Sequence, residues 1–180
     1  MKKLLMLLTV GTAALVLGGC GGESRMRESP GPRPDFPADA QGQRFELRLK
    51  GVNNPGYASA LVQVRRVSIS TVEGQPLPVR LKARFPMDLT QPEQAHLLGL
   101  FLVPEGVDRV RVEVEFDDFG GYEEASGGGV IDTRVAPLRF EAPVAYLAER
   151  GHAVVHLDLG QSLRPLGDAR LLLPSLDVRY

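Results

Sequence analysis

Six carboxylates crowd into residues 113–124: Glu113, Glu115, Asp117, Asp118, Glu123 and Glu124, set around Phe119-Gly120-Gly121-Tyr122. Calcium takes roughly six to eight oxygen ligands, and an acidic loop beside a strand end can supply several. Glu115, Asp117, Asp118 and Glu123 are the residues placed to do so. Two features point the other way. The Asp-x-Asp-x-Asp-Gly pattern of a calcium loop is absent, and Glu113 and Glu115 fall on one strand face, where cross-strand arginines or lysines pair with such residues. A solvated acidic face is the expected state, with calcium the alternative.

His152, His156 and Asp158 share parity, so a regular strand puts them on one face. His156 and Asp158 then stand about 7 Å apart, at roughly 3.3–3.4 Å per residue, close enough to share a zinc ion with ligands from elsewhere. His152 lies about twice as far away. The plainer expectation is a polar strand face backed by Val155, Leu157 and Leu159. Nucleophilic catalysis finds little to work with: the only thiol is Cys20, and no Gly-x-Ser-x-Gly motif occurs. A hydrolase is therefore a remote alternative. Gly127-Gly128-Gly129 is followed by no lysine and no helix pattern, so it does not form a phosphate-binding loop; no cofactor is expected. Arg80, Lys82 and Arg84 form a basic face. It can meet an anionic glycan or lipid headgroup, although pairing with Glu113 or Glu115 is the simpler expectation.

Cys20 is the residue whose surroundings define a chemistry. Lys2 and Lys3 precede an apolar run from Leu4 to Leu17, broken only by Thr9, Gly11 and Thr12, and Gly18 and Gly19 lead into the thiol. A positive end, an apolar core of about 7–15 residues and a small-residue junction describe a secretory leader. The run is shorter than the roughly 20 apolar residues that span a bilayer. Leu17-Gly18-Gly19-Cys20 resembles a lipobox. That resemblance implies cleavage after residue 19, a diacylglycerol on the Cys20 sulfur and acylation of the new amino terminus. Two or more acyl chains hold a protein stably to a membrane, whereas one holds it marginally. Gly21 stands where an aspartate would resemble an inner-membrane retention signal, so outer-membrane placement is expected, with the domain facing periplasm or cell surface.

The remaining chain divides in two. Residues 20–42 carry prolines at 30, 32, 34 and 37 and little to bury, which predicts a disordered tether. In polyproline form, at about 3.1 Å per residue, it would reach on the order of 60 Å. Of the 21 basic residues two lie in the leader, leaving 19 against 22 acidic residues. That balance gives no reason to expect a nucleic-acid partner. With no second cysteine, residues 43–180 must be stabilised by a packed core.

In that domain apolar residues alternate with polar ones, the mark of half-buried strands. Phe45, Leu47 and Leu49 form one such series. Val79 through Leu89 form a second, with Phe85 on the apolar side. Val110, Val112, Val114 and Phe116 form a third, and Val155, Leu157 and Leu159 a fourth. A last strand is predicted over 171–179, with Leu176 and Val178 apolar. Val62 and Val64 differ in parity from Val67 and Ile69, and one extra residue near Arg65-Arg66 restores a common face, as a β-bulge does. Glycine-rich segments, Gly127-Gly128-Gly129 among them, read as turns or loops. A helix of about two turns is predicted over Gln91–Leu98. The sum is an all-β fold: a single antiparallel β-sandwich of about seven to nine strands, with a closed barrel as the alternative.

The chain resembles the bacterial lipoprotein domain of unknown function 4382. The matching pieces are 61–69 with its phase break, Met87-Asp88-Leu89, Leu97-Leu98-Gly99 and Val103-Pro104-Glu105-Gly106-Val107. Val155-His156-Leu157-Asp158-Leu159, Ser162-Leu163 and Leu173-Pro174-Ser175-Leu176-Asp177-Val178 complete them. Val52-Asn53-Asn54-Pro55-Gly56 stands where that family usually has an Asp-Ala-Pro turn. The resemblance implies a transthyretin-like or immunoglobulin-like sandwich on an envelope lipoprotein, and no particular activity. The expected function is a non-enzymatic binding or scaffolding module, held to the membrane through lipid on Cys20, with an envelope protein or glycan as partner.

Overall fold

The structure, a computed structural model, describes residues 35–37 and 39–180. The predicted leader, Cys20 and most of the predicted tether lie outside the described residues.

The elements in chain order are β1 (Gln43–Val52), β2 (Tyr57–Val62), β3 (Val64–Thr71), β4 (Val79–Leu81), β5 (Met87–Asp88), β6 (His96–Val103) and β7 (Arg109–Phe116). They continue with β8 (Phe119–Glu124), β9 (Gly127–Asp132), β10 (Leu138–Pro143), helix α1 (Val144–Arg150), β11 (His152–Asp158), the one-turn α2 (Leu159–Ser162), β12 (Leu163–Leu166), β13 (Ala169–Leu172) and β14 (Leu176–Arg179). The strands form a five-stranded sheet in the order β14-β11-β1-β6-β4, a three-stranded sheet β10-β7-β3 and a six-stranded sheet β12-β13-β9-β8-β2-β5. Each sheet ends in two different strands, so the fold is a sandwich-like all-β fold and not a closed barrel.

Where one face of a strand is buried, the alternation read from the sequence is realised. Phe45, Leu47 and Leu49 of β1 are fully buried, as are Val110, Val112, Val114 and Phe116 of β7 and Val155 and Leu157 of β11. Phe45 packs on Phe101 of β6 with ring centroids 5.6 Å apart. The phase break is a bulge: the β3–β7 register shifts between Val64 and Arg66. It is also a corner, because β2 pairs within the six-stranded sheet and β3 within the three-stranded one.

Several expectations are corrected. The series Val79–Leu89 is two short strands: β4 ends at Leu81, and the chain crosses to the six-stranded sheet before β5 begins at Met87. Pro86 can donate no ladder hydrogen bond, and Phe85 is 78% exposed rather than inward. The predicted helix Gln91–Leu98 is a turn leading into β6, which pairs with β1 on one side and β4 on the other. Its residues from Leu98 to Val103 are all buried, and a strand buried on both faces shows a continuous apolar run without alternation. A helix forms instead at Val144–Arg150, following Pro143 and ending at Gly151, whose φ of 76° closes the last turn through its N–H to the Leu147 carbonyl at 2.7 Å. Gly127-Gly128-Gly129 lies in β9 and not in a loop.

The strands also number more than seven to nine, because crossovers split the longer runs, and two of the pairings, β1–β11 and β9–β13, are parallel. Leu159, read as a strand residue, lies in α2 and remains buried.

Candidate functional site

The acidic residues divide between two sheets. Glu113 and Glu115 project from β7 on the outward face of the three-stranded sheet, between arginines of the flanking strands. Arg139 of β10 donates to Glu113 at 2.8 Å, and Arg66 of β3 pairs with Glu115. Arg111 and Arg109 reach Glu141 at 3.0 and 3.6 Å. The Arg139 hydrogen bond is the main reason that the Glu113 carboxyl titrates below its ordinary value. Asp117 uses its backbone: its carbonyl accepts from the Thr133 hydroxyl, and its N–H donates to the Gln63 carbonyl at 2.8 Å. Asp118 pairs with Arg65 at 3.0 Å. Glu123 is exposed on β8, while Glu124 turns to Arg170 at 2.9 Å. Glu115, Asp117 and Asp118 thus stand at a corner between sheets, while Glu123 lies toward the far end of β8, opposite Ser59 and Gly128, and the four do not converge. Among the described residues no three acidic, histidine or cysteine side chains are grouped to hold a metal ion.

His156 and Asp158 do share a recess. An open cleft of about 370 Å³ is lined by Val52, Asn53, His156, Asp158, Gln161, Ser175, Leu176, Asp177 and Arg179. The parallel register sets Lys50 beside His156 on one side, and β14 sets Asp177 on the other. Burial, followed by the charges of Lys50 and Arg179, lowers the imidazole pKa. His156 therefore presents a neutral ring, able to donate and accept, at neutral pH. The Asp158 carboxylate is already engaged: Asn53 donates to it at 2.7 Å, and it caps α2 by accepting from the Gln161 N–H at 2.9 Å. The Asn53 bond is the main reason that its pKa is lowered. His152 sits at the other end of β11, level with Glu46 of β1.

The basic face of β4 has a different partner from the one expected. Asp35 accepts from Lys82 at 2.5 Å and lies 3.4 Å from the Arg80 guanidinium, while Glu113 and Glu115 are held by Arg139 and Arg66. Asp35 belongs to the predicted tether, so the folded unit begins before Gln43.

Two arrangements escape sequence reading altogether. Arg170 of β13 stacks 4.7 Å over the Tyr122 ring, donates to the Tyr57 hydroxyl at 3.2 Å and pairs with Glu124. The partners are 113 and 46 residues distant along the chain, and no local pattern signals them. Gly129 makes room for this cluster: a Cβ there would fall 2.8 Å from the Tyr122 hydroxyl and 2.7 Å from the Asp168 carbonyl.

The second is an end of the sandwich where four segments converge. Val62 stands opposite Met87, Gln63 is bonded to Asp117, Asp118 to Thr133, and Phe119 stands opposite Asp132. This brings Arg65, Arg84-Phe85, Phe119 and Arg134-Val135 to one rim. Phe85, Phe119 and Val135 are all more than half exposed. Arg134 lies 4.7 Å over the Phe119 ring and forks onto Asp132 at 2.7 and 3.0 Å, which holds that carboxyl at about 2. Exposed Leu61 and Val130 flank Gly121 on the adjoining outward face. Fold and surface together define an all-β domain with a polar cleft at His156 and an aromatic–arginine rim. No family model, curated protein or solved structure matches the chain, so the likeness to domain of unknown function 4382 gains no support from these comparisons.

Proposed function

We propose that the protein is an envelope lipoprotein, anchored through lipid on Cys20, whose β domain is a non-enzymatic binding module. The observation that carries the anchor is the order Lys2-Lys3, apolar run, Leu17-Gly18-Gly19-Cys20, with this the single cysteine of the chain. The binding role draws on the cleft at His156. Its side chains offer hydrogen-bond donors and acceptors on a neutral imidazole, an amide, a hydroxyl, carboxylates and a guanidinium. Such a lining suits a hydroxyl-rich ligand of the envelope, a glycan, better than an apolar one.

Two measurements test this reading. Wild-type protein should incorporate labelled palmitate and partition into detergent with the membrane fraction, and Cys20→Ser should do neither; membrane partition unaffected by Cys20→Ser would refute the anchor. Envelope glycan fragments should shift the His156 ring resonances in the NMR spectrum, and His156→Ala should abolish binding. Binding that survives the substitution moves the ligand elsewhere on the domain.

A further inference from the structure

The aromatic–arginine rim stands beside the point where the chain enters the domain. Asp35 is fixed on Lys82 and Arg80, and Lys82 is three residues from Phe85. A trans backbone advances at most roughly 3.3–3.6 Å per residue, so Phe85 lies within about 11 Å of that anchorage along the chain. Fifteen steps separate Cys20 from Asp35, which limits the distance from lipid to Asp35 to roughly 50–55 Å, and from lipid to Phe85 to roughly 60–65 Å, even when fully extended. A surface held this close to a bilayer meets it at high effective concentration, so a contact too weak to hold a free protein becomes populated.

The rim has the composition for such a contact. Phe85 is 78%, Phe119 56% and Val135 55% exposed, three apolar side chains on one end of the domain. Guanidinium groups of Arg84, Arg65 and Arg134 stand among them. Long cationic side chains can lay their stems on apolar surface and keep their heads at the polar layer. Arg65 and Arg134 are neutralised by Asp118 and Asp132, and Asp117, next to Asp118, adds a third carboxylate against the third arginine, Arg84. The charges on the rim balance, so attraction to the bilayer comes from apolar area and not from net charge.

We propose that this rim is a second, reversible membrane contact: Phe85 and Phe119 insert at the headgroup layer of the bilayer that carries the Cys20 lipid, orienting the domain with the β4–β5 crossover toward the membrane. This rests on the lipid anchor proposed above. The ligand is the zwitterionic phospholipid surface itself.

The chain contains no tryptophan, so Phe85→Trp introduces a single reporter at an exposed position. The lipid-modified protein carrying Phe85→Trp is reconstituted into phosphatidylcholine vesicles, with Leu166→Trp as control. Leu166 is as open to solvent as Phe119, each 56% exposed, but lies on β12, at the opposite edge of the six-stranded sheet from β5. Expected is a blue shift at position 85 and loss of roughly half its emission to lipids brominated near the headgroup, with position 166 unaffected. The quenching should persist in high salt, because the rim is charge-balanced. Phe119→Trp should behave as Phe85→Trp does, which guards against a local disturbance at either site. Lipid-modified, vesicle-bound protein without quenching at 85 and 119 overturns the rim contact and leaves the anchor standing. Equal quenching at 166 also overturns it. Protein lacking the lipid and failing to float with vesicles overturns both.

Discussion

Gly120 and Gly121 are neighbours in β8, and replacing each by alanine should have opposite effects. A Cβ on Gly120 would lie 2.3 Å from the Leu61 carbonyl oxygen on β2. That oxygen is backbone in a paired strand and cannot rotate away, so β8 or β2 must move. Overpacking of this kind costs about 1–3 kcal/mol, and a backbone obstacle places it toward the upper end, ~2–3 kcal/mol. A Cβ on Gly121 meets nothing closer than the Gly129 carbonyl at 3.9 Å. There alanine restricts the unfolded chain and should stabilise by about 0.5 kcal/mol. For a domain of this size 1 kcal/mol corresponds to about 3 °C. Gly120→Ala should therefore lower Tm by about 6–9 °C and Gly121→Ala raise it by about 1–2 °C. Thermal and urea unfolding of the mature chain, followed by circular dichroism, measures both. Equal effects of the two substitutions would refute the β2–β8 register and restore the reading of residues 119–124 as a pliable acidic loop.

Arg170→Met should destabilise by roughly 2–4 kcal/mol, because it strands Glu124 and the Tyr57 hydroxyl beside a stacked ring, and urea unfolding should show Glu124→Gln costing less. The folded-state pKa of His156 is lowered, so below about pH 6.5 the unfolded chain binds the proton more readily and stability falls with pH. His156→Gln should flatten the Tm–pH curve just below about pH 6.5 while leaving the more acidic limb, set by paired carboxylates, in place. Millimolar calcium should leave Tm unchanged, since Glu115 and Asp118 are held by Arg66 and Arg65; a rise of several degrees would show that the ion displaces these arginines.

Strands β1, β7 and β11 were legible because each buries one face, and burial on one face imprints period two on the sequence. β6 was not, because both of its faces are covered from Leu98 to Val103, which removes the polar half of the pattern. Phe85 misled for a related reason: it continues the parity of Val79 and Leu81, yet its chain has already left the sheet. The charge ladder on the three-stranded sheet was legible in kind, carboxylates opposite cross-strand arginines. The identity of the partners was not, since Arg139 and Arg66 reach Glu113 and Glu115 only through a register fixed by distant packing. Arg170, Tyr57 and Tyr122 left no trace at all, because each is unremarkable among its own neighbours.

Asp35 alters the meaning of the segment before it. By composition residues 20–42 form one polar spacer, long enough to hold the domain well clear of a membrane. The contacts of Asp35 with Lys82 and Arg80 assign the last part of that spacer to the fold, and they satisfy a basic face that otherwise called for Glu113 or Glu115. They also choose an end: the chain joins the domain at the β4–β5 crossover, where Phe85 is left outside the core. A tether only needs length, and any exposed edge would serve as its point of attachment. Attachment by a specific carboxylate beside an exposed aromatic rim is what a domain requires when one end must stay turned toward an anchor such as the one proposed at Cys20, and it leaves the cleft at His156 free for the proposed ligand.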